Sequence, residues 1–118
     1  MAHFNEIKLA KELIRFPSIT PKDEGALNII QDHLTYLGFT CTRLPFSDQN
    51  SYDVDNLFAT IGSEGKHLAF AGHTDVVPPG NEDSWKYPPF SGTIDDQKLY
   101  GRGAVSYTHL TLPTKRIV

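Results

Sequence analysis

Cysteine is nearly absent. Cys41 stands alone among 118 residues, so no disulfide can form within the chain, which suits a reducing compartment. Long apolar runs are missing too. None approaches the roughly 20 residues a membrane-spanning helix needs, so no membrane partner is expected. The opening MAHFNEIKLAKELIR mixes charge with apolar residues and has no signal-peptide core, so a cytoplasmic location is expected. Basic excess is also lacking: 11 Lys and Arg against 14 Asp and Glu give a net charge of −3, which disfavours nucleic acid as a partner. No internal repeat, low-complexity tract or interior domain boundary is visible. What remains is an ordinary globular mixture, 39% hydrophobic and 21% charged, rich enough in apolar residues to build a core.

Periodicity places two helices first. Phe4, Ile7, Ala10, Leu13 and Ile14 recur at helical spacing, and Pro17 ends that run. Thr20 as N-cap, Pro21 at the first helical position and Asp23 predict a second helix with a stripe of Ala26, Ile29, Ile30, Leu34 and Leu37. Gly38 suits its left-handed C-terminal stop. The period then shortens to two. Strands are expected over 39–44, 56–61 and 67–72, with a polar loop at 47–55 and a turn at 62–66 pairing the second strand with the third. The third, His67 to Gly72, is apolar enough to sit centrally in a covered sheet. Thr93–Ile94 and Lys98–Tyr100 flank a short hairpin turn at Asp95–Gln97. Helices followed by strands indicate the α/β class.

The chemistry concentrates in AGHTDVVPPG, residues 71–80. His73 falls at the end of the expected central strand, where open α/β sheets carry their sites. In extended backbone, residues i and i+2 point the same way. Asp75 can therefore accept a hydrogen bond from one imidazole nitrogen of His73 and leave the other for a metal. Taken alone, the pattern is weak and fits better a histidine paired with a carboxylate for structural reasons.

The longer stretch AFAGHTDVVPPGNEDSWKYPPFSGTIDDQKLYGRGA, residues 69–104, resembles the M20 family of binuclear zinc amidohydrolases and peptidases. The opening LIRFPSITPKDEGALNIIQDHLTYLGF is similar as well. The resemblance implies the N-terminal part of a zinc-peptidase-like catalytic domain, a mixed sheet flanked by helices, over residues 1–105. It implies that His73 ligates one zinc and that Asp75, as part of the catalytic apparatus, orients His73 and tunes its basicity. The double proline after HTDVV, the Trp85-x-x-Pro88-Pro89-Phe90 segment and the GRGA ending favour the branch that hydrolyses N-succinyl-LL-2,6-diaminopimelate to succinate and LL-2,6-diaminopimelate, a step towards lysine. The alternatives are an acetylornithine deacetylase, another M20 metallopeptidase, or a genuine short interaction module without catalysis. The implied cofactor is a pair of Zn²⁺ ions, with Co²⁺ as a substitute. The implied substrate is a small molecule, and the implied assembly is a homodimer through a separate domain absent from this chain.

The pattern breaks at position 106. The family places there an aspartate that bridges both metals, and this chain has Ser106, whose neutral hydroxyl cannot substitute for it. Val105 through Thr114 instead resembles the translated read-through of a transposase sequencing adapter. Residues 106–118 are therefore expected to be a foreign tail, and His109 is not counted as a ligand. The family's general-base glutamate, its other acidic ligands and its second histidine would all lie downstream. The chain itself is expected to be inactive and to bind metal weakly or not at all.

Other candidates are assigned bland roles. Cys41 and His33 are expected to pack, while His3 and His67 lie at the surface. Trp85 is expected to pack the loop after the site, and Asp95–Asp96 to form a solvated turn. Gly101-Arg102-Gly103 is too short for a phosphate loop, and Arg102 is expected at most to pair with a carboxylate.

Overall fold

The computed structural model describes residues 5–105. Two helices, α1 (Glu6–Ile14) and α2 (Ala26–Tyr36), precede two antiparallel strand pairs, β1 (Thr40–Asp48) with β2 (Ser51–Thr60) and β3 (Thr93–Asp95) with β4 (Lys98–Tyr100). The mixed α/β class expected from the sequence is observed. The described strands form two separate two-stranded sheets, and the parallel element is one isolated bridge between Ile19 and Val76.

Helix α1 starts where Asn5 accepts a hydrogen bond from the Lys8 backbone N–H at 2.9 Å, a cap that satisfies one orphan donor of the first turn. Its last residue, Ile14, is buried against the glycine-rich return of the chain. A Cβ on Gly101 would strike Ile14 Cγ2, and one on Gly92 would lie 2.8 Å from the Lys11 carbonyl oxygen. Side-chain-free backbone at these two positions is what lets the 88–102 region pack on α1.

Helix α2 begins later than expected. Gly25, not Thr20, is the N-cap, and Asp23 two residues earlier holds the start: its Oδ1 accepts from the Leu27 N–H at 2.9 Å and its Oδ2 from the Gly25 N–H at 3.0 Å. At the other end Gly38 adopts φ +90°, and the N–H groups of Gly38 and Phe39 donate to the carbonyls of Thr35 and Leu34. This paired pattern is the Schellman stop foreseen at Gly38.

The first hairpin corrects two expectations. Residues 47–55 are not a loop: the turn is confined to 49–50, where the Asn50 N–H donates to Asp48 Oδ1, and β2 runs from Ser51. A two-stranded ribbon leaves one face to water, so aspartates are tolerated along it. Arg43 also reaches across to Asp55, a diagonal neighbour on the same face, and to Asn28 Oδ1 of α2 at 2.7 Å. The partner of β2 is thus β1, not the segment after the 62–66 turn.

The second correction concerns 67–72. This stretch is irregular, with Leu68 82% and Phe70 92% exposed, so apolar composition alone does not make it a strand. A central strand needs hydrogen-bonding neighbours on both sides, and among the described residues none lies beside it. The small β3–β4 hairpin agrees with expectation. Asp96 and Gln97 take φ +46° and +59°, the positive pair of a type I′ turn.

Candidate metal-ligand pair

Residues 74–76 owe their position to an early part of the chain. Backbone hydrogen bonds run from the Val76 N–H to Ser18 O at 2.9 Å and from the Thr20 N–H to Val76 O at 3.1 Å, forming the Ile19–Val76 bridge. Ser18 is 1% exposed, and its hydroxyl donates to Thr74 O at 2.8 Å, so its polar atom is buried with a partner. Gly103 closes against the same place: a Cβ there would lie 2.8 Å from Val76 Cγ1. The Ser18–Thr20, Thr74–Val76 and Gly101–Ala104 segments therefore meet.

On this frame the structure brings His73 and Asp75 together. His73 Nδ1 lies 2.8 Å from the Asp75 carbonyl oxygen and 3.2 Å from Asp75 Oδ1. Both are acceptors, so in the neutral ring Nδ1 carries the proton and Nε2 carries the lone pair. That is the tautomer a metal-ligating histidine needs, with its other nitrogen held by a carboxylate or carbonyl. The pair is half-exposed, with side-chain exposures of 50% and 43%, open enough for an ion or substrate to approach. It opens onto a groove of about 1070 Å³ whose walls include Leu27 and Ile30 of α2, Leu57 of β2 and Phe70.

The donor set fits one ligand and its orienting acid, not a whole metal site. Among the described residues no three His, Cys, Asp or Glu side chains gather around one point. Ser106 and His109 lie outside the described residues, as does the whole of the expected foreign tail.

Thr20 is the residue that sequence reasoning misplaced. Its hydroxyl donates to Asp75 Oδ2 at 2.5 Å, so each carboxylate oxygen of Asp75 faces a different side chain. No local signal could reveal this, because the partners are 55 residues apart.

The remaining candidates are structural. Trp85 packs the loop after the site as expected, its Nε1–H donating to Pro79 O at 3.0 Å. Arg102 corrects its expectation: among the described residues it pairs with no carboxylate, donates to the same Pro79 oxygen at 3.2 Å and stacks 5.0 Å over the Trp85 ring. Asp95 is not a free turn residue. It accepts from Lys86 Nζ and Tyr87 Oη, each at 2.8 Å, and the Lys86 ammonium holds its carboxyl below the usual carboxylate range. Cys41 is half-buried on β1, its thiol 3.9 Å from Gln31 O. His33 lies 3.7 Å from Glu12 between the two helices. No helix among the described residues is long and apolar enough to cross a membrane.

Comparison with known proteins agrees with this segment. Residues 69–111 match the model of peptidase family M20/M25/M40, a span that contains both His73 and Asp75. The chain is 54% identical over 99 residues to a succinyl-diaminopimelate desuccinylase of Bradyrhizobium diazoefficiens, a match covering 84% of this chain and 26% of that protein. It is 55% identical over 98 residues to the enzyme of that name in Rhodospirillum centenum, covering 83% and 25%. For the one in Pelagibacter ubique the figures are 54% over 104 residues, covering 88% and 27%. The chain thus spans about a quarter of the length of the curated relatives it matches. In its 69–111 segment and in its likeness to these relatives, the chain is similar to members of peptidase family M20/M25/M40.

Proposed function

We propose that this chain is the N-terminal part of a metal-dependent amidohydrolase that cleaves N-succinyl-LL-2,6-diaminopimelate to succinate and LL-2,6-diaminopimelate. The observation that carries the proposal is the His73–Asp75 pair, held in a ligating tautomer inside the family segment. The names of the relatives favour this substrate over an acetylated amino acid.

In this reading Asp75 accepts from His73 Nδ1–H and fixes the ring, and Nε2 is the atom that ligates. A divalent cation there, zinc or cobalt, supplies Lewis-acid polarisation of the scissile amide and acidifies water near neutral pH. The lone Cys41 supports a cytoplasmic setting. The remaining ligands, the general base and the dimer contact belong to sequence that the relatives have and this chain does not match.

The test has two stages. Reading the source DNA through the codons for Gly101 to Val118 is expected to show Asp in place of Ser106 and an open frame beyond. The product of that frame is expected to release succinate, to stop on chelation and to recover with zinc. Absence of succinate release, or release that survives His73→Ala unchanged, would overturn the proposal.

A further inference from the structure

We infer that Thr20 is a positioning residue for the candidate metal centre, locking the Asp75 carboxylate in the orientation that holds His73. The inference rests on the reading of His73 as ligand and of Asp75 as its orienting acid.

Asp75 Oδ1 faces His73 Nδ1 at 3.2 Å, and Asp75 Oδ2 accepts the Thr20 hydroxyl at 2.5 Å. A carboxylate on a half-exposed side chain has several accessible rotamers, and a single contact to a histidine does not choose among them. A second contact, made through the other oxygen, does. The donor is well chosen for this task. A β-branched side chain is stiff at χ1, and the Thr20 backbone is pinned by its N–H bond to Val76 O, one residue beyond Asp75. The bridge at Ile19–Val76 and the buried Ser18 hydroxyl on Thr74 O fix the same two strips of chain against each other. The hydroxyl's other acceptor, Val76 O at 3.4 Å, is longer and neutral, so the charged oxygen is the stronger partner. A capping role does not compete, because α2 starts at Ala26 with Gly25 at its N-cap, and its Leu27 N–H is met by Asp23 Oδ1.

Two experiments test this. In the isotope-labelled metal-free chain, exchange into D2O is expected to shift the Asp75 carboxyl carbon, and the part of that shift lost in Thr20→Val is the hydroxyl's. Absence of that shift in the wild-type chain overturns the inference without any variant having to fold. In the full-frame enzyme, Thr20→Val is expected to lower kcat about 10-fold or more, the range for residues behind a metal ligand, with KM little changed. Thr20→Ser, which keeps the hydroxyl, is expected to restore most of it. Wild-type kcat in Thr20→Val, or an equal loss in Thr20→Ser, counts against the role. Failure of the underlying reading is distinguishable: His73→Ala would then leave kcat intact, while the Thr20-dependent part of the carboxyl shift still reports on Thr20.

Discussion

At the scale of single residues, the site depends on which atoms face which. Asp75 meets His73 through its backbone oxygen as well as its carboxylate, so Asp75→Asn keeps one acceptor and weakens the other. Activity of the full-frame enzyme is expected to fall about 10- to 100-fold with this change, less than with His73→Ala, which removes the ligand itself. Steady-state assays at saturating zinc check the order of the two. Glycine at 101 presents a different constraint. A Cβ there would overlap Ile14 Cγ2 and lie 3.0 Å from Pro89 O, and both residues are buried. Gly101→Ala is expected to cost about 1–3 kcal/mol through overpacking, read as a lowered thermal midpoint by circular dichroism.

At the scale of elements, the β1–β2 hairpin is tied to α2 by Arg43, which reaches Asp55 across the ribbon and Asn28 on the helix. Its hydrogen bond holds the Asp55 carboxyl below the ordinary value, while Asp55 in turn raises the Arg43 guanidinium. A depressed folded-state value means that the stabilisation is present above the unfolded pKa of about 4 and is lost as pH falls through the folded value. The thermal midpoint is therefore expected to drop as pH is lowered below about 4. Arg43→Ala is expected to cost about 1 kcal/mol, the scale of a partly exposed pair, and to flatten that acid dependence. A pH series of melts on both chains decides. A steeper acid loss in Arg43→Ala would contradict the assignment.

At the scale of the whole molecule, little is sealed from water. Among the described residues the buried hydrophobic side chains are Ile14 and Ala26, joined by Pro89. The outer face of the β1–β2 ribbon carries Phe46, Val54 and Phe58, with Leu68 and Phe70 also open. Exposed apolar surface on an unpaired ribbon favours association. The chain is expected to bind a hydrophobic dye and to scatter light increasingly with concentration. Phe46→Lys with Phe58→Lys should reduce both. Dye binding and scattering unchanged by these substitutions would mean that another surface drives association.

Sequence alone determined what depends on near neighbours. The α1 period, the Schellman stop at Gly38 and the Asp96–Gln97 turn follow from backbone preferences that act within a few residues. The His73-x-Asp75 contact was legible for the same reason, since two residues' separation suffices to bring the side chains together. Tertiary structure decided the rest. Whether 67–72 pairs as a strand depends on neighbours that the local pattern cannot specify. Whether Thr20 caps α2 or holds Asp75 depends on a backbone bridge between positions 19 and 76. A hydroxyl's partner is chosen by which oxygen the fold brings nearest, and here that oxygen comes from a distant part of the chain.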